Sequence, residues 1–434
     1  MVRVLRGARS WSALPGLADQ ALASGVNFLT LIVLGRSLSP SRFGYFVLAF
    51  TLLQSAGAVQ SALITRPHNV LGALRTGTAY VRYTTAAATL QLGYAAVWAL
   101  ALALAGGVLA ALGGASSTLF LLAAPAVVAW QLQEFGRRVL YTEGRLYGAL
   151  LDDVLGYGAQ AAILVWLWRG DALTGPRAMA AIAATSAVAA LVAGFQLRSS
   201  LGRTIDRESL RTGWGYGRWL AAAELAYWFS SQSYIYLASA VVGPVASAIL
   251  KAAQTLLGPA SVFLAFFVNF LPTRFASRLR VGGDRALARQ VRVGLLSTLP
   301  ATVAYAVAVA VFAGPLLEFV YGSAYAGHAS VVRLFAAYYV LLSISDVFVA
   351  ALAARALTRR IFAGHAAGAV LSLVLGWVLL YTWGAAGGAA GMIASLVVAL
   401  AVFVRSYRAA AARPLQAPAQ PPAPAAGVGA PPSR

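Results

Sequence analysis

The chain has 434 residues, 60 % hydrophobic and only 10 % charged, with a net charge of +21 and a mean hydropathy of +0.76. A soluble domain carries about 25 % charged residues, so the composition excludes one and reads as an all-α integral membrane protein. There are no cysteines, which excludes disulfides, thiolate catalysis and Cys-ligated metal, and His68, His328 and His365 are too scattered for metal-ligand spacing.

A spanning helix takes about 20 mostly apolar residues. After a short basic segment, 1–13, the chain predicts twelve such spans: 14–35, 43–65, 80–108, 118–136, 148–168, 178–197, 214–239, 245–271, 291–313, 329–353, 361–381 and 387–404. The first run exceeds signal-peptide length and lacks a small-residue cleavage site. Alternate connections (the N-terminus, 66–82, 137–145, 198–218, 274–292, 355–360 and the C-terminal end) hold 27 arginines, and the other set holds four. The positive-inside rule then puts both termini in the cytoplasm. The same placement explains the pI near 11.0 without a nucleic-acid partner. Residues 409–434 are Pro/Ala-rich and expected to be disordered.

The two halves of the sequence resemble each other. An offset of 204 residues places Thr51-Leu52-Leu53 on Thr255-Leu256-Leu257 and Ser39-Pro40 on Gly243-Pro244, and it sets Asp19 beside Glu224. The expected organisation is two parallel six-helix bundles, 14–197 and 214–408, joined by a linker over 198–213. Parallel repeats of this kind are a transporter architecture that binds substrate where the halves meet.

Polar residues in the spans mark candidate sites. Lys251 is the one lysine of the chain. A cation at the centre of a spanning helix costs about 2.5–3.5 kcal/mol on insertion scales and usually faces a bundle interior or wet cavity. Ser247, Lys251, Gln254 or Thr255, and Gly258 share one helix face, as do Glu224, Tyr227, Ser231 and Tyr234 in the preceding span. In the first half Gln20, Ser24 and Asn27, and Thr51, Gln54, Ala58, Ser61 and Thr65, repeat the pattern. Helices 1, 2, 7 and 8 are therefore the expected cavity lining. The plainer alternative has Lys251 snorkelling to the interface and the small residues packing helices. Pro125, Pro259, Pro300, Gly384, Gly387, Gly388 and Gly391 mark kinks or close-packing positions.

Several stretches resemble bacterial Wzx-type oligosaccharide flippases, of the superfamily that also holds MATE-type multidrug exporters. They are Asp19-Gln20-Ala21-Leu22 through Gly35-Arg36 to Gly44-Tyr45, Gln133 to Tyr141 with Gly144-Arg145, Tyr216 to Trp219, Lys251 to Pro259, and Tyr321-Gly322 with Tyr325. Where the family pattern has arginine this chain has Lys251, which keeps the charge but loses bidentate phosphate recognition. The resemblance implies a MATE-like fold. It also implies export of polyprenyl-pyrophosphate-linked oligosaccharides for capsule, exopolysaccharide or O-antigen, at the bacterial inner membrane, alongside a polysaccharide polymerase and export machinery. Lys251 and Arg218 are then the expected phosphate or acidic-sugar contacts, with Gln254, Asn27 and Gln54 completing the cavity. Tyr227, Tyr234 and Trp228 either stack on sugar rings or pack helices.

Glu134 precedes Arg138 by four residues, an expected helix ion pair, and Asp152 and Asp153 are expected to pair with loop arginines. Asp19, Glu224 and Asp346 lie deeper and are candidates for coupling to an H+ or Na+ gradient; no other cofactor is expected. The alternatives are a MATE-like drug:cation antiporter on the same fold and a membrane-embedded glycosyltransferase or ligase. The short, nearly uncharged outer loops offer such an enzyme no acid or histidine constellation.

Overall fold

A computed structural model describes residues 13–114 and 116–412, with side chains from Ala21 onward except Asn269. The N-terminal segment before Ala13, the tail beyond 412 and the Asp19 and Gln20 side chains lie outside the described residues. The described chain is all-α. Eight helices are long and apolar enough to cross a membrane. Two of these, Gly258–Val311 and Thr358–Ala411, run 54 residues each. At 1.5 Å per residue that is roughly 80 Å, far beyond a hydrocarbon core of about 30 Å. Each folds back on itself at a glycine with positive φ, Gly283 (61°) and Gly384 (58°), a conformation that favours glycine.

Dividing these two gives ten crossings, and Ala13–Ser37 and Arg207–Val241 bring the described residues to twelve. Span 1 is Ala13–Ser37. Span 2 is Pro40–Gln60, prolonged by two π-wound turns, Ser61–Thr65 and His68–Gly72. Spans 3 to 6 are Gly77–Ala111, Ser117–Thr142, Leu146–Arg169 and Gly175–Gln196. Span 7 is Arg207–Val241, and span 8 is Pro244–Leu256 continued by 258–282. Span 9 is 284–311, span 10 is Ala329–Ala354, and spans 11 and 12 are 358–383 and 385–411. Two short helices, Ala313–Tyr321 and Ser323–Ala326, lie between spans 9 and 10.

Spans 2 and 8 both begin with proline at the first helical position, where a missing N–H costs nothing. Pro244 follows Pro40 by 204 residues, and Val241, the end of span 7, follows Ser37, the end of span 1, by the same number. The first six spans pack mainly against one another, and so do the last six. They meet where span 2 lies on the Pro244–Leu256 part of span 8, where span 7 lies on the end of span 2 and the start of span 3, and where span 1 touches span 8 and Ala313–Tyr321.

One end of this contact is sealed. Gly44 sits against the Pro244 carbonyl and Gly35 against the Tyr321 ring, and the Arg36 guanidinium donates to the Phe319 carbonyl. The other end carries the arginine-rich connections. There Gly217 of span 7 lies against the Leu63 carbonyl of span 2, and Arg66 pairs with Glu224 at 3.1 Å.

Candidate functional site

Between the halves lies a cavity of about 640 Å³. Span 1 lines it with Ser24, Asn27 and Phe28, span 2 with Gln54, span 7 with Tyr227 and Gln232, and span 8 with Lys251, Gln254 and Thr255. Span 10 adds Tyr338 and Tyr339. Lys251 is the one charged side chain among the described residues lining it. Its ammonium donates to the Gln254 carbonyl oxygen at 3.1 Å, leaving further donors of a three-donor group. Thr255 returns its hydroxyl to the Lys251 carbonyl (2.7 Å). Span 8 breaks just beyond, at Leu257 and Pro259, so the Lys251 turn ends in a kink at the cavity wall.

A second lobe of about 360 Å³ lies beside the first and shares Ser24, Asn27, Gln54 and Gln232 with it. It reaches toward the arginine-rich end and is walled by Trp130, Glu134, Arg137 and Arg138 of span 4, Ser61 of span 2, Tyr157 of span 5 and Trp228 of span 7. Glu134 accepts from Arg138 at 2.7 Å and from Arg137, and Arg137 also reaches Asp153 at 3.1 Å. Removing one partner from such a buried array strands a charge. On the opposite side of span 7 an apolar groove is lined by Leu52, Trp98, Leu225, Phe229 and Tyr236, and Trp228 is shared between groove and lobe.

A third space lies wholly within the last six spans. It is a chamber of about 20 Å³, room for about one water-sized species. Asp346, His365, Tyr227, Ser231, Ser345 and Ser395 line it, with the Tyr227 and His365 rings edge-to-face at 5.1 Å. The Asp346 carboxylate makes no ion pair among the described residues. Carboxylate and hydroxyl oxygens are the donors a proton or hard cation takes.

The structure brings together Lys251, Gln254, Tyr227, Asn27 and Gln54 in the main cavity, with Trp228 in its second lobe. It corrects four placements. Arg218 lies exposed at the arginine-rich end of span 7 beside Trp219, outside the described cavity, although its neighbour Gly217 is packed against span 2. Tyr234 is fully buried between Gly376 and Gly391 and shares a hydrogen bond with Ser395; it packs spans 7, 11 and 12. Glu224 faces Arg66 across the halves. Ser247 donates to the Ile235 carbonyl and is fully buried. A stripe on one face of a long helix meets a different neighbour at each turn, so sharing a face did not mean sharing a cavity.

Asp153 pairs as expected with an arginine of the 137–145 stretch, Arg137, which the structure places in the last turns of span 4, and Asp152 accepts from Gln196. The expected Glu134–Arg138 pair is present. Trp130, Gln232, Tyr338, Tyr339 and His365 were not anticipated. Only their spacing relative to spans that are distant in sequence makes them cavity residues.

No protein-family profile and no curated protein matches the sequence. Solved structures do share its fold. A multidrug resistance MATE-family transporter of the MOP superfamily, in its inward-facing conformation, superposes with a TM-score of 0.72 at 15 % identity, over 91 % of this chain and 94 % of that one. The lipid II flippase MurJ, in an inward closed conformation, gives 0.67 at 13 % identity over 91 % and 87 %. A MATE transporter in its straight conformation gives 0.65 at 14 % identity over 92 % and 94 %. The chain thus has the MATE-like fold of MOP-superfamily transporters, and these neighbours are transporters and flippases.

Proposed function

We propose that this chain is a flippase for polyprenyl-pyrophosphate-linked oligosaccharides, in the Wzx manner, serving capsule, exopolysaccharide or O-antigen synthesis. The observation that carries the reading is a lone ammonium, Lys251, in the main lobe of the inter-bundle cavity, whose described lining holds no carboxylate. A fixed cation in a low-dielectric cavity offsets part of the desolvation cost of a pyrophosphate head. The isoprenoid tail stays in lipid while the head crosses between the halves.

In this reading the arginine-rich end is the cytoplasmic face of the bacterial inner membrane, with both termini there. The sealed Gly44–Pro244 end faces out. Rocking of one six-helix half against the other opens and closes the two ends in turn. The protein is not an enzyme, and its partners are the lipid-linked substrate, the membrane, and a polysaccharide polymerase with its export machinery. Asp346, in its small chamber, takes the coupling proton or sodium ion; Asp19 is the further acid that a gradient could address. The drug:cation antiporter reading fits less well, since a cationic drug wants an uncompensated carboxylate in the main cavity.

Proteoliposomes test this with a labelled polyprenyl pyrophosphate oligosaccharide. Lys251→Met is expected to lower its transport at least ten-fold and Lys251→Arg to retain most of it, with Asp346→Asn removing dependence on the pH or sodium gradient. Unchanged transport in Lys251→Met, or a wild type that exchanges a cationic dye and ignores the lipid, defeats the proposal.

A further inference from the structure

The two lobes of the cavity differ in chemistry. The main lobe has one cation, Lys251. The second holds the indoles of Trp130 and Trp228, the amides of Gln54 and Gln232, and the Glu134–Arg138 pair. From these we infer that the second lobe is a glycan subsite: it takes the sugar rings of the substrate while Lys251 takes the phosphate. The inference rests on the flippase reading above and adds where the sugar goes.

The chemistry is that of a hydroxyl-rich, flat-faced ligand. A sugar ring has an apolar C–H face that lies on an aromatic surface and an equatorial rim of hydroxyls that each donate and accept. Indoles supply the surface, in the way an aromatic body provides large contact area with two rotatable bonds. Gln and Asn amides and a carboxylate–guanidinium pair supply both donors and acceptors. Trp130 is already oriented for this: its indole N–H donates to the Tyr157 hydroxyl at 2.9 Å, which holds the ring in place. Arg138 spends its Nε on Glu134, and no other hydrogen bond to its two terminal amino groups is described. Gln60, on the lobe wall, donates to the Gln131 carbonyl at 2.7 Å, while its own side-chain oxygen is buried with no partner.

The cation of the main lobe and the span 4 residues of the second lobe lie on different halves. Lys251 belongs to span 8, whereas Trp130, Glu134 and Arg138 belong to span 4. A ligand held by Lys251 at one end and by span 4 at the other therefore bridges the two six-helix halves.

The test measures binding of two lipids to the purified full-length protein in nanodiscs: a polyprenyl pyrophosphate with no sugar, and the same lipid carrying a neutral hexose trisaccharide. Wild type is expected to favour the glycan-bearing lipid at least ten-fold. The double variant Trp130→Leu with Trp228→Leu is expected to bring that ratio near one while leaving the bare lipid unchanged. Trp130→Phe, which keeps a ring face but loses the bond to Tyr157, is expected to retain most of the ratio. Lys251→Met is expected to weaken both lipids alike. An unchanged ratio in the double variant, or an equal loss of the bare lipid, removes the glycan lobe and leaves the flippase reading standing. A wild type that binds neither lipid overturns both.

Discussion

A methyl group on Gly44 would land on the carbonyl oxygen of Pro244, and that carbonyl belongs to the backbone of the opposite half. Glycine is therefore required here by close approach, not by conformation. Gly44→Val forces spans 2 and 8 apart, at a cost of about 1–3 kcal/mol if it behaves like ordinary overpacking. The natural chain has no cysteine, so a single Ala248→Cys reports the seal without background. Its labelling by an impermeant maleimide should run at least five-fold faster when Gly44→Val is added. Asp206 is a second residue with a local role. It caps span 7, accepting from the Ser209 hydroxyl at 2.6 Å and from the backbone N–H groups of Glu208 and Ser209. The Ser209 hydroxyl foremost, and the two backbone donors after it, hold the Asp206 carboxyl below the usual carboxylate range. A depressed folded pKa contributes stability above the unfolded value and loses it as pH falls through the folded one. Asp206→Ala should speed amide exchange over 207–212 at neutral pH, and its difference from wild type should vanish in acid.

The end of span 2 shows what an element adds beyond its residues. Two π-wound turns bracket Arg66 and Pro67. His68 is buried there, hydrogen-bonded to Thr84 at 3.0 Å, stacked on Tyr83 and edge-to-face with Phe135, which ties the segment to spans 3 and 4. The extra residue in each π turn shifts the helical register, and Arg66 is delivered to Glu224 of the other half. With Arg66 54 % and Glu224 16 % exposed, the pair is worth about 0.2–1 kcal/mol, a latch weak enough to open in a transport cycle. Breaking it with Arg66→Ala should shift the closed population of the span 2–span 7 seam by no more than about five-fold, read as a spin-label distance across the seam. The exchange Arg66→Glu with Glu224→Arg should restore it. Glu224 read as a deep acid because it lies well inside span 7. Hydropathy reports that a residue lies within a span, and the winding of a neighbouring helix decides what it meets.

At the scale of the whole molecule, function depends on which end is sealed and what lies between. Twelve crossings, their order, and the segregation of arginines to alternate connections were legible in the sequence, because hydrocarbon admits only helices of a set length and excludes charge from them. The lone lysine stood out for the same reason: in so apolar a chain one ammonium needs a wet neighbour, and the cavity beside Lys251 provides it. Periodicity along a single helix also identified Gln54, Asn27 and Gln254, since each lies on a face that turns toward the other half. What sequence could not specify was the partner of each polar group. Arg218 and Tyr234 share span 7 with Tyr227, yet one is exposed at its end, one is locked between glycines of span 11 and span 12, and one lines the cavity. Those assignments come from how helices far apart in the chain cross one another. The solvent-like cost of burying charge acts locally and leaves its mark on composition and spacing. The contacts that decide between latch, core and cavity are made across hundreds of residues, and only tertiary packing sets them.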